Sequence, residues 1–291
     1  MRSKFCFRII GVLLVLSMLV MAVPSILLAA DVTPAETTAM MQAAETWLLS
    51  KQVPVVRDGS GNYVSGGYWV DNEQSDNFAS TCFVVAALLE NSVPKTNQKI
   101  IDAIDYIMTK NHAATYNAGV YVSGGGFYEY SSRTSYENGA ALVALSLFGD
   151  PANAAFKAKV QAAYDYMKAN QNDTVGSDAF GGFTYNGKAT GSTGDLSNTQ
   201  FGIMGLAYAA KYLGINAATQ TWAANVNAFV AKCASQGVAG SISYQPSYSN
   251  FSPGGSMTAA GIWILALTGT ATGSGSTIVN DAISLVRPQL L

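Results

Sequence analysis

The sequence predicts an all-α fold of about four and a half helical hairpins wound in two concentric layers. Three observations lead there. First, a Gly-Gly-aromatic turn, a polar linker and an apolar helix follow one another about four times, most clearly in GGFTYNGKATGSTGDLSNTQFGIMGLAYAAKYLG from Gly181 to Gly214. Second, aligning the apolar helices on Leu88, Leu145, Leu206 and Leu267 gives spacings of 57, 61 and 61, a period typical of stacked units that cannot bury their apolar faces alone. Third, amphipathic helices alternate with nearly all-apolar ones. The amphipathic helices need a wet side and form an outer layer; the apolar ones form an inner layer.

The elements follow in order. Arg2, Lys4 and Arg8 precede an apolar run from Ile9 to Val23, then Pro24, Ser25 and the small residues Ala29 and Ala30. Residues 1–30 read as a secretory signal cut near Ala29 or Ala30; the rival reading is an uncleaved anchor, because Ile9 to Ala30 is long enough to span a bilayer. Either way residues 31–291 form a domain outside the cytoplasm, secreted or periplasmic, membrane-anchored if the segment is not cut. Thr33, Pro34 and Glu36 make a helix start, and Met40, Met41, Ala44, Trp47 and Leu48 share a face. After GGYW at 66–69, Asp76 caps an apolar helix through Leu89. The second unit opens at Pro94, carries GGGFYEY at 124–130, and starts its inner helix with a Thr134/Glu137 capping box. The third opens at Asp150 and Pro151, carries GGFTYNG at 181–187, and caps Leu196–Leu213 with Asp195. The fourth runs from Asn216 through Cys233, a weaker GSISYQP at 240–246 and Thr258 to Leu267. A last amphipathic helix from Ile278 to about Leu290 lacks an inner partner.

Composition narrows the function. Of 291 residues, 49% are hydrophobic and 12% charged. That charged share is well below the roughly 25% of an average soluble protein, so Ser, Thr, Asn, Gln and Gly must cover the surface, as is more usual outside the cell. Past residue 30 the chain keeps thirteen Lys+Arg against eighteen Asp+Glu, net −5, with no basic cluster. Nucleic acid is excluded as a partner, since its phosphates need Lys and Arg. Cys82 and Cys233 fall on apolar helical faces and read as buried thiols, with a single long-range disulfide as the rival reading in an oxidising compartment.

The motifs GGYW at 66, GGFY at 125 and GGFTY at 181, each followed by a small-rich apolar helix such as NGAALVAL at 138–145 or NTQFGIMGL at 198–206, carry a family likeness. They resemble the terpenoid cyclase and protein prenyltransferase superfamily, the α/α toroids, and in particular the prenyltransferase and squalene oxidase repeat. The resemblance spans Thr33 to Leu291 and implies an α/α toroid, partial or complete. The catalytic signatures of that family do not accompany it. Squalene cyclases protonate substrate with D-x-D-D, whereas DNEQSD at 71–76 spaces its acids differently. Protein prenyltransferases hold zinc through Asp, Cys and His, whereas this chain has one histidine, His112, so no metal is expected. The cyclase repeat's Gln and Trp signature and the macroglobulin-type thioester are also absent. Four and a half hairpins are fewer than the six or so of a closed family ring, which leaves self-association through an open ring edge as a further expectation.

Two sets of residues remain as candidate sites. Tyr68, Trp69, Phe127, Tyr130, Phe183 and Tyr185, with Tyr244, recur once or twice per unit at one end of the array. They either form a rim that takes an apolar, isoprenoid-like or glycan ligand, or plug the gaps between hairpins, with the glycines allowing the turns. Among carboxylates on the same side, Asp71 and Glu129 lack a capping role, and Asp195 sits between the longest polar linker and the most repeat-like helix. The expectation is a ligand-binding or interaction module without a cofactor. The alternative is an enzyme, either a divergent terpenoid cyclase or a carbohydrate-active toroid using Asp71, Glu129 or Asp195.

Overall fold

The structure is a computed structural model that describes residues 33–70, 77–188, 194–234, 240–246, 255–269 and 277–286. The expected leader at 1–30, Asp71 and Asp76 lie outside the described residues. Helix predominates among those described, and none of their helices is long and apolar enough to cross a membrane. The chain divides into two compact units, residues 1–109 and 110–291.

The first unit holds α1 (Pro34–Lys51), β1 (Val56–Arg57), β2 (Tyr63–Ser65), α2 (Asn77–Glu90) and α3 (Gln98–Thr109). α1 starts as its sequence predicts: Glu36 N donates to Thr33 Oγ1 at 3.2 Å, and Thr33 N donates to the Glu36 carboxylate at 2.8 Å. α2 buries Phe78, Cys82, Val85 and Leu88 and packs on α3, which buries Ile100, Ala103, Ile104 and Ile107. α3 begins four residues later than Pro94 suggests. Pro94 closes a turn by accepting from Asn97 N at 2.9 Å, and the Asn97 side chain then caps Lys99 N at 3.0 Å.

The second unit holds β3 (Thr115–Asn117), β4 (Val120–Ser123), α4 (Thr134–Phe148), α5 (Ala154–Asn170), α6 (Leu196–Leu213), a 3-10 turn at Ala217–Thr219, α7 (Thr221–Ala234), α8 (Gly255–Leu267) and α9 (Thr277–Val286). α4, α6 and α8 touch in succession; α5 rests on α4 and α6, α7 on α6 and α8, and α9 on α8. The nearly all-apolar helices α4, α6 and α8 therefore run side by side in this unit, flanked by the amphipathic ones. A Cβ on Gly205 would lie 2.7 Å from the Gly139 Cα, so α4 and α6 approach backbone to backbone. That closeness offsets a helix-propensity cost of roughly 1 kcal/mol per glycine. α6 ends where Gly214 turns left-handed and Ile215 N donates to Ala210 O at 2.8 Å.

Of three further helix starts, two differ in detail from the sequence reading. Asp195 caps α6 as expected, taking Asn198 N at 2.7 Å. Asp150 instead accepts from Ala152 N in a preceding turn, and Asn153 caps α5 through Phe156 N at 3.1 Å. The Thr134/Glu137 capping box does not form. Thr134 is already helical, and the Glu137 carboxylate takes the loop amides of Glu129 at 2.5 Å and Tyr130 at 3.0 Å. Two loop donors beside a helix N-terminus satisfy a buried carboxylate better than one returned amide bond does.

Two short β-hairpins interrupt the helices. In β3–β4, Tyr116 pairs with Tyr121 across Ala118-Gly119, whose φ values of +48° and +79° suit the tight two-residue turn that matches strand twist. In β1–β2, the Asp58 carboxylate takes Ser60 N and Asn62 N, and Arg57 reaches Asp102 at 2.8 Å and Asp105 at 2.7 Å on α3. The alternation in YVS and VYVS beside DGSGN and NAG is a strand signal that the helical periodicity overshadows.

Candidate functional site

Each aromatic turn is built by the same set of contacts. The backbone N–H groups of Trp69, Phe127, Phe183 and Ile242 donate to Thr81 Oγ1, Asn138 Oδ1, Thr199 Oγ1 and Thr258 Oγ1 at 3.0, 2.8, 3.0 and 3.2 Å. All four acceptors sit on the apolar helices and are buried. Seven residues further along come Leu88, Leu145, Leu206 and Leu265, all buried. The fourth member of the leucine register is therefore Leu265 rather than Leu267, which is only half-buried.

The glycine before each aromatic turn presses on a carbonyl of the next amphipathic helix. A Cβ at Gly67 would meet Asp102 O at 2.4 Å, at Gly125 Ala162 O at 2.9 Å, and at Gly181 Asn225 O at 1.9 Å. Four residues past each carbonyl stands an aromatic ring. Tyr106 lies 5.1 Å from the Tyr68 ring, Tyr166 lies against Gly126 and Phe229 against Gly182. At the end of the amphipathic helix a buried glutamine closes the junction. Gln52 Nε2 donates to Gly67 O at 2.9 Å and Lys99 O at 2.7 Å, and Gln171 Nε2 to Gly181 O at 2.9 Å and Trp222 O at 3.0 Å. Asn111 holds the corresponding place in the middle unit, 3.5 Å from Lys159 Nζ.

This construction sorts the seven aromatic candidates. Trp69, Phe127 and Phe183 are buried, the last two completely, and Tyr68 is half-buried. Tyr130 and Tyr185 are 45% and 51% exposed. Both lie within residues 110–291 and both are tied to the first turn of α4: Tyr130 N donates to Glu137, and Tyr185 O accepts from Ser135 N at 3.0 Å. Tyr244 repeats the Tyr185 arrangement one unit later, its carbonyl taking Leu196 N at 2.8 Å.

Among the carboxylates, Asp195 is buried, and its Oδ2 accepts from Asn198 Nδ2 at 2.8 Å. Its pKa is raised by burial, against the lowering effect of hydrogen bonds from Asn198 and the Tyr244 side chain. Burial and the charge of Asp195 raise the Tyr244 phenol in turn. Glu129 is paired with Lys110 at 2.6 Å. Cys233 is a buried thiol pushed up to about 12, first by burial and then by Asp195.

No family model, no curated protein and no solved structure matches this chain. Among the described residues, no group of three or more His, Cys, Asp or Glu is placed to hold a metal ion. His112 lies beyond the end of α3, stacked on Tyr128 at 3.8 Å with its Nε2 3.1 Å from Tyr128 O. Sequence reasoning passed over Thr81, Asn138, Thr199, Thr258, Gln52 and Gln171. Their signal was a polar residue at one register position of helices otherwise apolar, and a glutamine just beyond the last turn of an amphipathic helix.

Proposed function

We propose that this chain is an exported α/α-toroid module that binds a glycan at the rim where the apolar helices of its second unit begin. The observation that carries the reading is the pair of exposed tyrosines, Tyr130 and Tyr185, anchored through their backbones to one helix start. A tyrosine ring offers a flat apolar face to the C–H surface of a sugar and a hydroxyl to its edge. A surface rich in Ser, Thr, Asn and Gly suits an uncharged polar ligand. An isoprenoid-like ligand is less well served, since Trp69, Phe127 and Phe183 are committed to the interior.

Titration with a panel of neutral α- and β-linked oligosaccharides, with farnesol as the apolar comparison, tests this. Tyr130→Ala and Tyr185→Ala should each weaken oligosaccharide binding by about threefold to tenfold, the worth of one ring contact. Unchanged affinity in both variants, or binding of farnesol alone, defeats the glycan reading.

A second reading rests on Asp195, whose burial favours the protonated form that a general acid needs. In that case the module hydrolyses or rearranges its ligand. Asp195→Asn, which retains a capping side chain, then abolishes turnover while leaving binding intact; turnover that survives the substitution removes Asp195 as the acid.

A further inference from the structure

We propose that α1 is a self-association surface through which two copies of this chain pair by an antiparallel helix contact. Successive repeats are joined by one recurring contact. In α3, α5 and α7 the aromatic position, Tyr106, Tyr166 and Phe229, is met by the preceding aromatic turn, and a glycine there meets the carbonyl four residues earlier. Aligning Gln52 with Asn111 and Gln171 at the helix ends puts Trp47 at that aromatic position of α1 and Ala43 at the carbonyl position. Trp47 is 53% exposed, Met40 is 57% exposed, and α1 buries no residue completely. The opposite flank of the helix is already engaged: Leu48 O accepts from Trp69 Nε1 at 2.7 Å, and Glu45 accepts from Asn91 at 2.9 Å.

The exposed stripe matches itself when reversed. Glu36, Met40, Ala43, Trp47 and Lys51 follow at intervals of three or four residues, one face of a helix, and all are exposed. A two-fold axis between Ala43 and Ala44 sets Met40 against the partner's Trp47 and Glu36 against the partner's Lys51. It thereby brings a thioether onto an indole over which the helix's own Lys51 Nζ already lies at 5.9 Å, and sets that ammonium against a carboxylate whose Oε2 accepts from Thr33, with alanine at the crossing where the backbones come closest. The parallel arrangement stacks like charges instead. Self-complementarity of this kind is what an isologous dimer requires. A single helix face lies at the small end of interface sizes, so the dimer is weak and concentration-dependent.

The test is sedimentation equilibrium on the protein purified from cells expressing the full chain, together with oxidative cross-linking. Wild type should show a monomer–dimer equilibrium that Trp47→Glu weakens by about tenfold or more, as for a central aromatic anchor. Ala43→Cys, beside the axis, should form a reducible covalent dimer. Ser60→Cys, an exposed site in the β1–β2 turn, is the control. Ala43→Cys in the Trp47→Glu background should lose the cross-link, which separates pairing from any effect on folding. A strictly monomeric wild type overturns the proposal. So does a Trp47→Glu dimer as tight as wild type, or cross-linking of Ala43→Cys no faster than that of Ser60→Cys.

Discussion

Replacing Gly181 with alanine measures how firmly one unit is keyed to the next. Two costs are expected. The backbone there has φ of +86°, which a residue with a Cβ adopts at about 1–2 kcal/mol. The new Cβ would also lie 1.9 Å from Asn225 O and 2.4 Å from its carbonyl carbon, so α7 must move outward by more than an ångström. That shift pulls Trp222 O away from Gln171 Nε2 and breaks a buried hydrogen bond at about 1–3 kcal/mol. Together the expected loss is about 2–5 kcal/mol. Gly176 provides the control: its φ is +88°, but nothing lies within 4 Å of the Cβ position, so Gly176→Ala should cost only about 1–2 kcal/mol. Urea unfolding followed by far-ultraviolet circular dichroism gives both values, and hydrogen exchange of the α7 amides localises the loss. Equal midpoints for the two variants would refute the claim that the glycine is required by the neighbouring helix.

Further expectations follow from the same structure. Thr199→Val keeps the shape of the side chain but leaves the Phe183 N–H without its acceptor, and should cost about 1–3 kcal/mol in urea, whereas Thr199→Ser should cost much less. Burial raises the Asp195 pKa above its ordinary 3.8, so the folded state holds that proton more tightly than the unfolded one. Its effect on stability is therefore absent below the ordinary carboxylate range and becomes a loss as pH rises through the folded value. Between about pH 3 and pH 7 wild type should lose stability relative to Asp195→Asn, and a difference that is flat or of opposite sign contradicts the assignment. Cys233, pushed up to about 12, should resist a thiol-specific disulfide reagent at neutral pH until urea unfolds the chain.

How much of this was legible in the sequence depends on which force sets each feature. The helices and their apolar or amphipathic character follow from hydrophobic periodicity, while recurrence singled out Trp69, Phe127 and Phe183 but left a ligand rim and a structural plug both open. Helix starts were less secure because several polar residues compete for each one. Thr134 and Glu137 have capping-box spacing, but the carboxylate is drawn to Glu129 N and Tyr130 N, a loop whose position no local pattern reveals. The displacement of Leu267 by Leu265 has the same origin, since Thr258, and not the apolar run, sets the register of α8. Which tyrosines would stay exposed was likewise hidden. Phe183 and Tyr185 are two residues apart in one turn, yet the first is sealed under α6 while the second stands 51% open. Only the fold decides between them.

The hydrogen bond from each aromatic turn to its apolar helix tolerates paths of different length between its two partners. Thr81 follows Trp69 by twelve residues and Asn138 follows Phe127 by eleven, while Thr199 and Thr258 trail Phe183 and Ile242 by sixteen, yet the bond length barely changes. Every repeat reaches the same meeting point, although the number of residues between the two partners differs. Lengthening the path from Phe183 to Thr199 should therefore leave the bond that joins them, and the helix start it anchors, in place.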